Sequence, residues 1–247
     1  MKKQIGNNLL PVMMLLFGCI AMSLRRQLYM TGLDEKGLLP RGTTQELLLL
    51  ALTAAAACIL FLAMKKDCGS SRYEDNYSSG KIAALGHWFF ALAIYRTMEY
   101  GHLPVMIGPI GTACQILGIA APVCLVLAGF TRLLGRKPFF LLHVVVSLFF
   151  IIHVVNSYQT WSSDPQMQNY LFGLLSSLAL ALFAHYTAAI EAGCGSRKMV
   201  LGIGLAAVYL CLAEFAQSPA PLLYLGGMIW ALTGNCRVVP APAEEKD

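Results

Sequence analysis

From Leu47 to Met64 the chain runs eighteen residues without a charge. As a helix that stretch rises about 27 Å at 1.5 Å per residue, close to the roughly 30 Å hydrocarbon core of a bilayer. A helix facing water on one side needs a polar stripe, and none interrupts this run. Comparable apolar stretches recur at 8–24, 81–99, 104–134, 139–158, 164–192, 199–215 and 218–234. Only 13% of the 247 residues are charged, about half the share of a soluble domain, too few to coat a water-facing surface of this size. The pattern predicts an all-α, polytopic transmembrane helix bundle of about eight spans. Residues 1–237 form its single domain, and 238–247 form a disordered cytoplasmic tail rich in Pro and acids.

Lys2 and Lys3 before an apolar run resemble a signal peptide, and Leu16-Phe17-Gly18-Cys19 resembles a lipoprotein processing box. The run continues past Cys19 with no small-residue cleavage site, so it reads as an uncleaved first span. Orientation follows from basic residues, which concentrate on the cytoplasmic side. With the N-terminus inside, 13 of the 18 basic residues fall on inner segments, so both termini are expected in the cytoplasm. The 24–45 loop dissents, with Arg25, Arg26, Lys36 and Arg41 on the predicted outside. The +5 net charge thus has a topological reading. No basic stripe for phosphates exists, which argues against nucleic acid.

Local signals set boundaries. Arg25 and Arg26 are expected to snorkel from the end of the first span. Thr43 and Glu46 form a T-x-x-E capping box before the second. Residues 65–80 read as a flexible cytoplasmic loop, with Tyr73, Glu74, Asp75 and Tyr77 solvated. Pro109 and Pro122 predict a kink or break in the fourth span. Asp164-Pro165 and Ser218-Pro219 each pair a cap with a proline, marking the starts of the sixth and eighth spans. Small residues four apart, Gly173/Ser177/Ala181 and Ala120/Cys124/Ala128, predict close helix packing.

Two patches carry a resemblance. One runs from Leu24-Arg25-Arg26 through Gly32-Leu33-Asp34-Glu35-Lys36-Gly37-Leu38-Leu39-Pro40. The other runs from Trp161-Ser162-Ser163-Asp164-Pro165-Gln166 through Gln168-Asn169-Tyr170-Leu171-Phe172 to His185-Tyr186. Together they resemble an uncharacterised family of multi-span membrane proteins of clostridia-like bacteria. The resemblance implies a bacterial cytoplasmic membrane and no mechanism.

Ionisable groups inside spans are costly and default to a functional hypothesis. His87, His143 and His185 lie toward the inner surface, where each is expected to bond a carbonyl or hydroxyl of a neighbouring helix. His153 and Asn156 share a face in the outer half. Arg96 and Glu99, three apart, form a natural intrahelical pair near the outer face. Glu214 and Trp161 also lie toward that side. Arg96, Glu99, Asn156, His153, Trp161 and Glu214 are therefore the candidate ligand-binding residues, around an outward polar pocket for a small polar solute. Glu191 reads as a surface ion pair with Arg197 or Lys198.

No HExxH, CxxC or paired-carboxylate motif is present, so no catalytic residue, metal or cofactor is expected. Two readings remain: a binding or transport protein, or a non-catalytic subunit, sensor or scaffold acting through a membrane protein partner. An enzyme ranks below both.

Overall fold

The structure, a computed structural model, describes residues 9–31, 42–66, 70–77, 80–100, 108–162 and 170–235. Its helices are α1 (Leu9–Thr31), α2 (Thr44–Lys66), α3 (Tyr73–Asn76), α4 (Gly80–Glu99), α5 (Gly108–Leu133), α6 (Leu141–Trp161), α7 (Leu171–Ala192), α8 (Arg197–Phe215) and α9 (Pro221–Gly234). No strand occurs among the described residues. Among the described residues, six helices (α1, α2, α5, α6, α7 and α8) are long and apolar enough to cross a membrane, against the eight spans expected. The other two expected spans correspond to α4 and α9. Helix α9 has 14 residues, about 21 Å. Helix α4 has 20 residues but carries Lys81, His87, Arg96 and Glu99.

Helices α4 to α9 pack in sequence order, and α9 closes back on α4, making a six-helix ring. Helices α1 and α2 form a pair docked on the outside of α8. Helix α8, packed from both sides, is the most buried span, whereas α2 leaves Leu47, Leu48, Leu50, Phe61 and Leu62 exposed. Those outward apolar side chains suit a lipid surrounding and make this an integral membrane protein.

Trp230 of α9 is the hub of the ring. Its indole stacks on Phe90 of α4 at 5.0 Å and on the His143 ring of α6 at 6.1 Å, and meets Phe183 of α7 edge-on at 4.8 Å. Helix α9 comes close to α4 because Gly226 carries no side chain. A Cβ there would lie 2.5 Å from that of Ala93.

Several local signals resolve in detail. The Thr43 hydroxyl accepts the Glu46 N–H at 3.3 Å, completing half of the capping box. The Glu46 carboxylate reaches one residue further back than expected, accepting the Gly42 N–H at 2.7 Å. Helix α5 runs unbroken through Pro122, and Pro109 sits in its first turn, where a missing N–H costs nothing. Of the expected kink or break, the break is absent. Helix α9 starts at Pro221 rather than at Pro219. The Ser218 hydroxyl instead accepts the Ala220 N–H at 2.9 Å, which moves the start two residues on. The Asp164-Pro165 start lies outside the described residues. The Gly173/Ser177/Ala181 stripe is buried on α7, while on α5 Ala128 of the expected row is buried, Ala120 and Cys124 are half-buried, and Gly111, Cys114, Gly118 and Ala121 form a further buried row.

Candidate functional site

Short turns gather four helix ends at one end of the ring. Helix α5 carries Arg132 in its last turn, and α6 begins two residues before His143. Helix α7 ends beside Glu191, closed by Gly193 in the left-handed region (φ 84°). Helix α8 opens on Arg197. Helix α4 contributes His87, and α3 packs across the end with Tyr73, Asn76 and Tyr77. The 65–80 segment is thus no solvated loop throughout. Tyr73 and Tyr77 are half-buried against the core, Asn76 is buried, and Glu74 and Asp75 are exposed.

The polar side chains here form one connected chain. His87 Nδ1 lies 2.6 Å from the Ala83 carbonyl, which only accepts, so this nitrogen carries a proton. His87 Nε2 lies 3.1 Å from His143 Nε2. His143 Nδ1 lies 2.8 Å from Glu191 Oε2, and the other Glu191 oxygen accepts Arg132 Nη2 at 3.2 Å. Glu191 is 2% exposed and Arg132 3%. Glu191 is therefore no surface partner of Arg197 or Lys198, since α7 turns it into the ring. Arg197 is buried as well, donating to the Asn76 side-chain oxygen. His87 and His143 pair with each other and with a carboxylate rather than with a neighbouring helix's carbonyl or hydroxyl, and His185 is exposed on α7.

Helix dipoles work against two of these charges. Glu191 lies at the negative C-terminal end of α7 and Arg197 at the positive N-terminal end of α8. Their side-chain partners must offset that placement. The Arg132 guanidinium sits over the Tyr77 ring at 4.5 Å and near Tyr73 at 5.9 Å, an arrangement that favours the cation. Its Nε and Nη1 are buried and have no hydrogen-bond partner. Beside it opens a cavity of about 430 Å³ lined by Arg132, Arg136, Tyr73, Tyr77, Asn76 and Thr233, with Ile82 and Leu232 as apolar walls. Burial pushes the Tyr73 phenol above its ordinary pKa, which keeps it an O–H at neutral pH.

The residues singled out from sequence lie elsewhere. Arg96 donates to Glu99 at 2.8 Å along α4, and the two side chains are 45% and 44% exposed. Glu214 is buried and pairs with Arg25 of α1, which also donates to the Ala213 carbonyl at 3.0 Å. Arg25 lies under the Phe172 ring at 4.8 Å and therefore does not snorkel, whereas Arg26 is exposed. Trp161 stacks on Tyr170 at 4.5 Å. His153 and Asn156 are buried on α6, where His153 Nδ1 and Asn156 Nδ2 have no partner. Among the described residues, Arg96–Glu99 is the one contact joining two of these six. No group of three or more His, Cys, Asp or Glu among the described residues is arranged to hold a metal.

Sequence reasoning gave no functional weight to Arg132 or Trp230 and placed Glu191 at the surface. A signal did exist. Arg132, Lys137, Glu191 and Arg197 all flank the two turns of the same end, so a charge buried there had oppositely charged groups within reach. No family model, curated protein or solved structure matches the chain.

Proposed function

We propose that this integral membrane protein binds a small polar solute in the cavity beside Arg132. The observation that carries the reading is a buried guanidinium with two unpartnered N–H-bearing nitrogens, belonging to a residue that lines a 430 Å³ space. An unmade hydrogen bond at a buried charged group costs on the order of 1–3 kcal/mol or more. A polar occupant supplying acceptors removes that cost, and the apolar walls provide the concave surface that small-molecule sites share.

The topology proposed with it has eight membrane-embedded helices and both termini in the cytoplasm. Support for eight comes from ring closure, since α4 and α9 pack against each other and against helices of spanning length. Support for the orientation comes from Arg132, Arg136, Lys137, Arg197 and Lys198, which cluster at one end. On this topology the cavity faces the cytoplasm. An outward pocket around Arg96, Glu99 and Glu214 is the less supported site, because Arg96 and Glu99 satisfy each other at the surface and Arg25 satisfies Glu214.

The test is purification in mild detergent at native expression, followed by mass spectrometry of retained small molecules. A reproducible small molecule that is depleted in Arg132→Gln, and in the surface variant Ile82→Trp, supports the cavity. A stoichiometric protein partner with no small molecule points instead to a subunit or scaffold.

A further inference from the structure

Counting protons along the buried chain names the class of solute. Three contacts link Ala83, His87, His143 and Glu191 in series. Each hydrogen bond holds one proton, so the three contacts hold three. The groups sharing them are two imidazole rings and one carboxylate, each carrying one negative charge when stripped of protons. Three protons on three negative charges leave the chain neutral. The result is the same whether the middle proton state is written as a His143 imidazolium with a Glu191 carboxylate, or as neutral His143 with a protonated Glu191. It holds too if the extra proton is placed on His87.

Arg132 is always protonated. Although it hydrogen-bonds Glu191, the carboxylate's charge is already balanced by the histidine pair. The buried cluster therefore carries one net positive charge, and the described acids nearest the cavity in sequence, Glu74 and Asp75, are exposed. Arg136 adds a second cation at the cavity wall. A buried uncompensated charge is costly, and a counter-charge with several acceptor oxygens relieves it best.

We infer that the Arg132 cavity is an oxyanion site, taking a phosphate-type group beside the buried, incompletely paired Arg132 guanidinium, with Arg136 and Tyr73 also lining it. The group arrives either as a free small anion or as the headgroup of an anionic lipid, and the chemistry at the guanidinium is the same. This rests on the cavity reading above and adds to it the charge of the occupant.

The experiment uses the full chain, dialysed free of phosphate, and reads thermal unfolding and titration calorimetry. Inorganic phosphate and sulfate are titrated against chloride at constant ionic strength. In parallel, nanodiscs of phosphatidylglycerol are compared with nanodiscs of phosphatidylcholine. The expected result is saturable, one-to-one binding of phosphate or sulfate with an upward shift in melting temperature, weakened at least tenfold in Arg136→Glu and abolished in Arg132→Gln. Arg136 is an exposed side chain, so its variant reports on binding even if Arg132→Gln fails to fold. Stabilisation by phosphatidylglycerol alone, lost in Arg136→Glu, assigns the same site to a lipid headgroup. Absence of both phosphate or sulfate binding and phosphatidylglycerol preference overturns the inference. If a neutral small molecule still co-purifies and is lost in Ile82→Trp, the cavity reading survives and the anion assignment fails. If nothing co-purifies either, both fail.

Discussion

Arg132 and Glu191 meet inside the ring at 3.2 Å, yet the arginine spends one of its three nitrogens on the carboxylate and leaves two without a partner. The carboxylate meanwhile divides its oxygens between that guanidinium and His143. The pair is thus asymmetric: both Glu191 oxygens have a partner, and two of the three Arg132 nitrogens do not.

That asymmetry predicts opposite roles for the two residues. Glu191→Leu removes both carboxylate oxygens and leaves a buried cation without its acceptor. Removing one member of a buried ion pair costs about 3–5 kcal/mol. We expect a loss of that order in reversible denaturant unfolding of the detergent-solubilised protein, whether or not a solute is present. A change below about 1 kcal/mol would mean that Glu191 does not hold the cluster together.

Two arginine–glutamate pairs toward the predicted outer face should separate cleanly in the same assay. Arg25–Glu214 is buried between α1 and α8, so Arg25→Leu strands a carboxylate and is expected to cost about 3–5 kcal/mol. Arg96–Glu99 is nearly half exposed on one helix, and Arg96→Ala should leave the unfolding midpoint unchanged. Equal effects would contradict the burial that distinguishes them.

The contrast also shows what could be read from the chain alone. Helix positions came from long apolar runs, because bilayer thickness imposes them whatever the tertiary packing. Pairing of Arg96 with Glu99 was legible because a three-residue spacing on a helix fixes it. Pairing of Arg132 with Glu191 was not, since 59 residues separate them and only the ring brings α5 and α7 to one end. Glu191 was misread for a related reason. Its neighbours Arg197 and Lys198 suggested a solvated turn, and sequence gives no sign of which way the last turn of α7 faces. Of the kink or break expected at Pro122, no break occurs, because a proline inside a membrane helix need not interrupt it when the surrounding helices pack around it, as they do around α5.

Gly80 offers a test of how the site is built. A Cβ there would fall 1.5 Å from the Arg132 carbonyl oxygen, so α4 begins directly against the backbone that carries the arginine. Backbone cannot rotate aside as a side chain does. Gly80→Ala should cost about 1–3 kcal/mol by overpacking and weaken phosphate binding in the same titration by moving Arg132. Gly42→Ala is a useful comparison, because no atom lies within 4 Å of its added Cβ and any cost comes from a φ of 75° alone. It should leave phosphate affinity untouched. Loss of affinity in both variants would show that the effect is global rather than transmitted from α4 to Arg132.

The proposed orientation can be checked in intact cells. In a cysteine-free background, a single cysteine is placed at Glu99 or at Arg136, both exposed and at opposite ends of the ring. With both termini inside, a membrane-impermeant maleimide should label Glu99→Cys from outside and leave Arg136→Cys unlabelled until the cells are lysed. Native Cys194, exposed in the α7–α8 turn, should behave like Arg136→Cys when restored alone. The prediction depends on basic residues settling the topology, and the 24–45 loop, with four of them on the predicted outside, is its one opponent. Reversed labelling would give that loop the deciding vote, and the Arg132 cavity would then open to the exterior, where its anion would be drawn from the medium rather than from the cell.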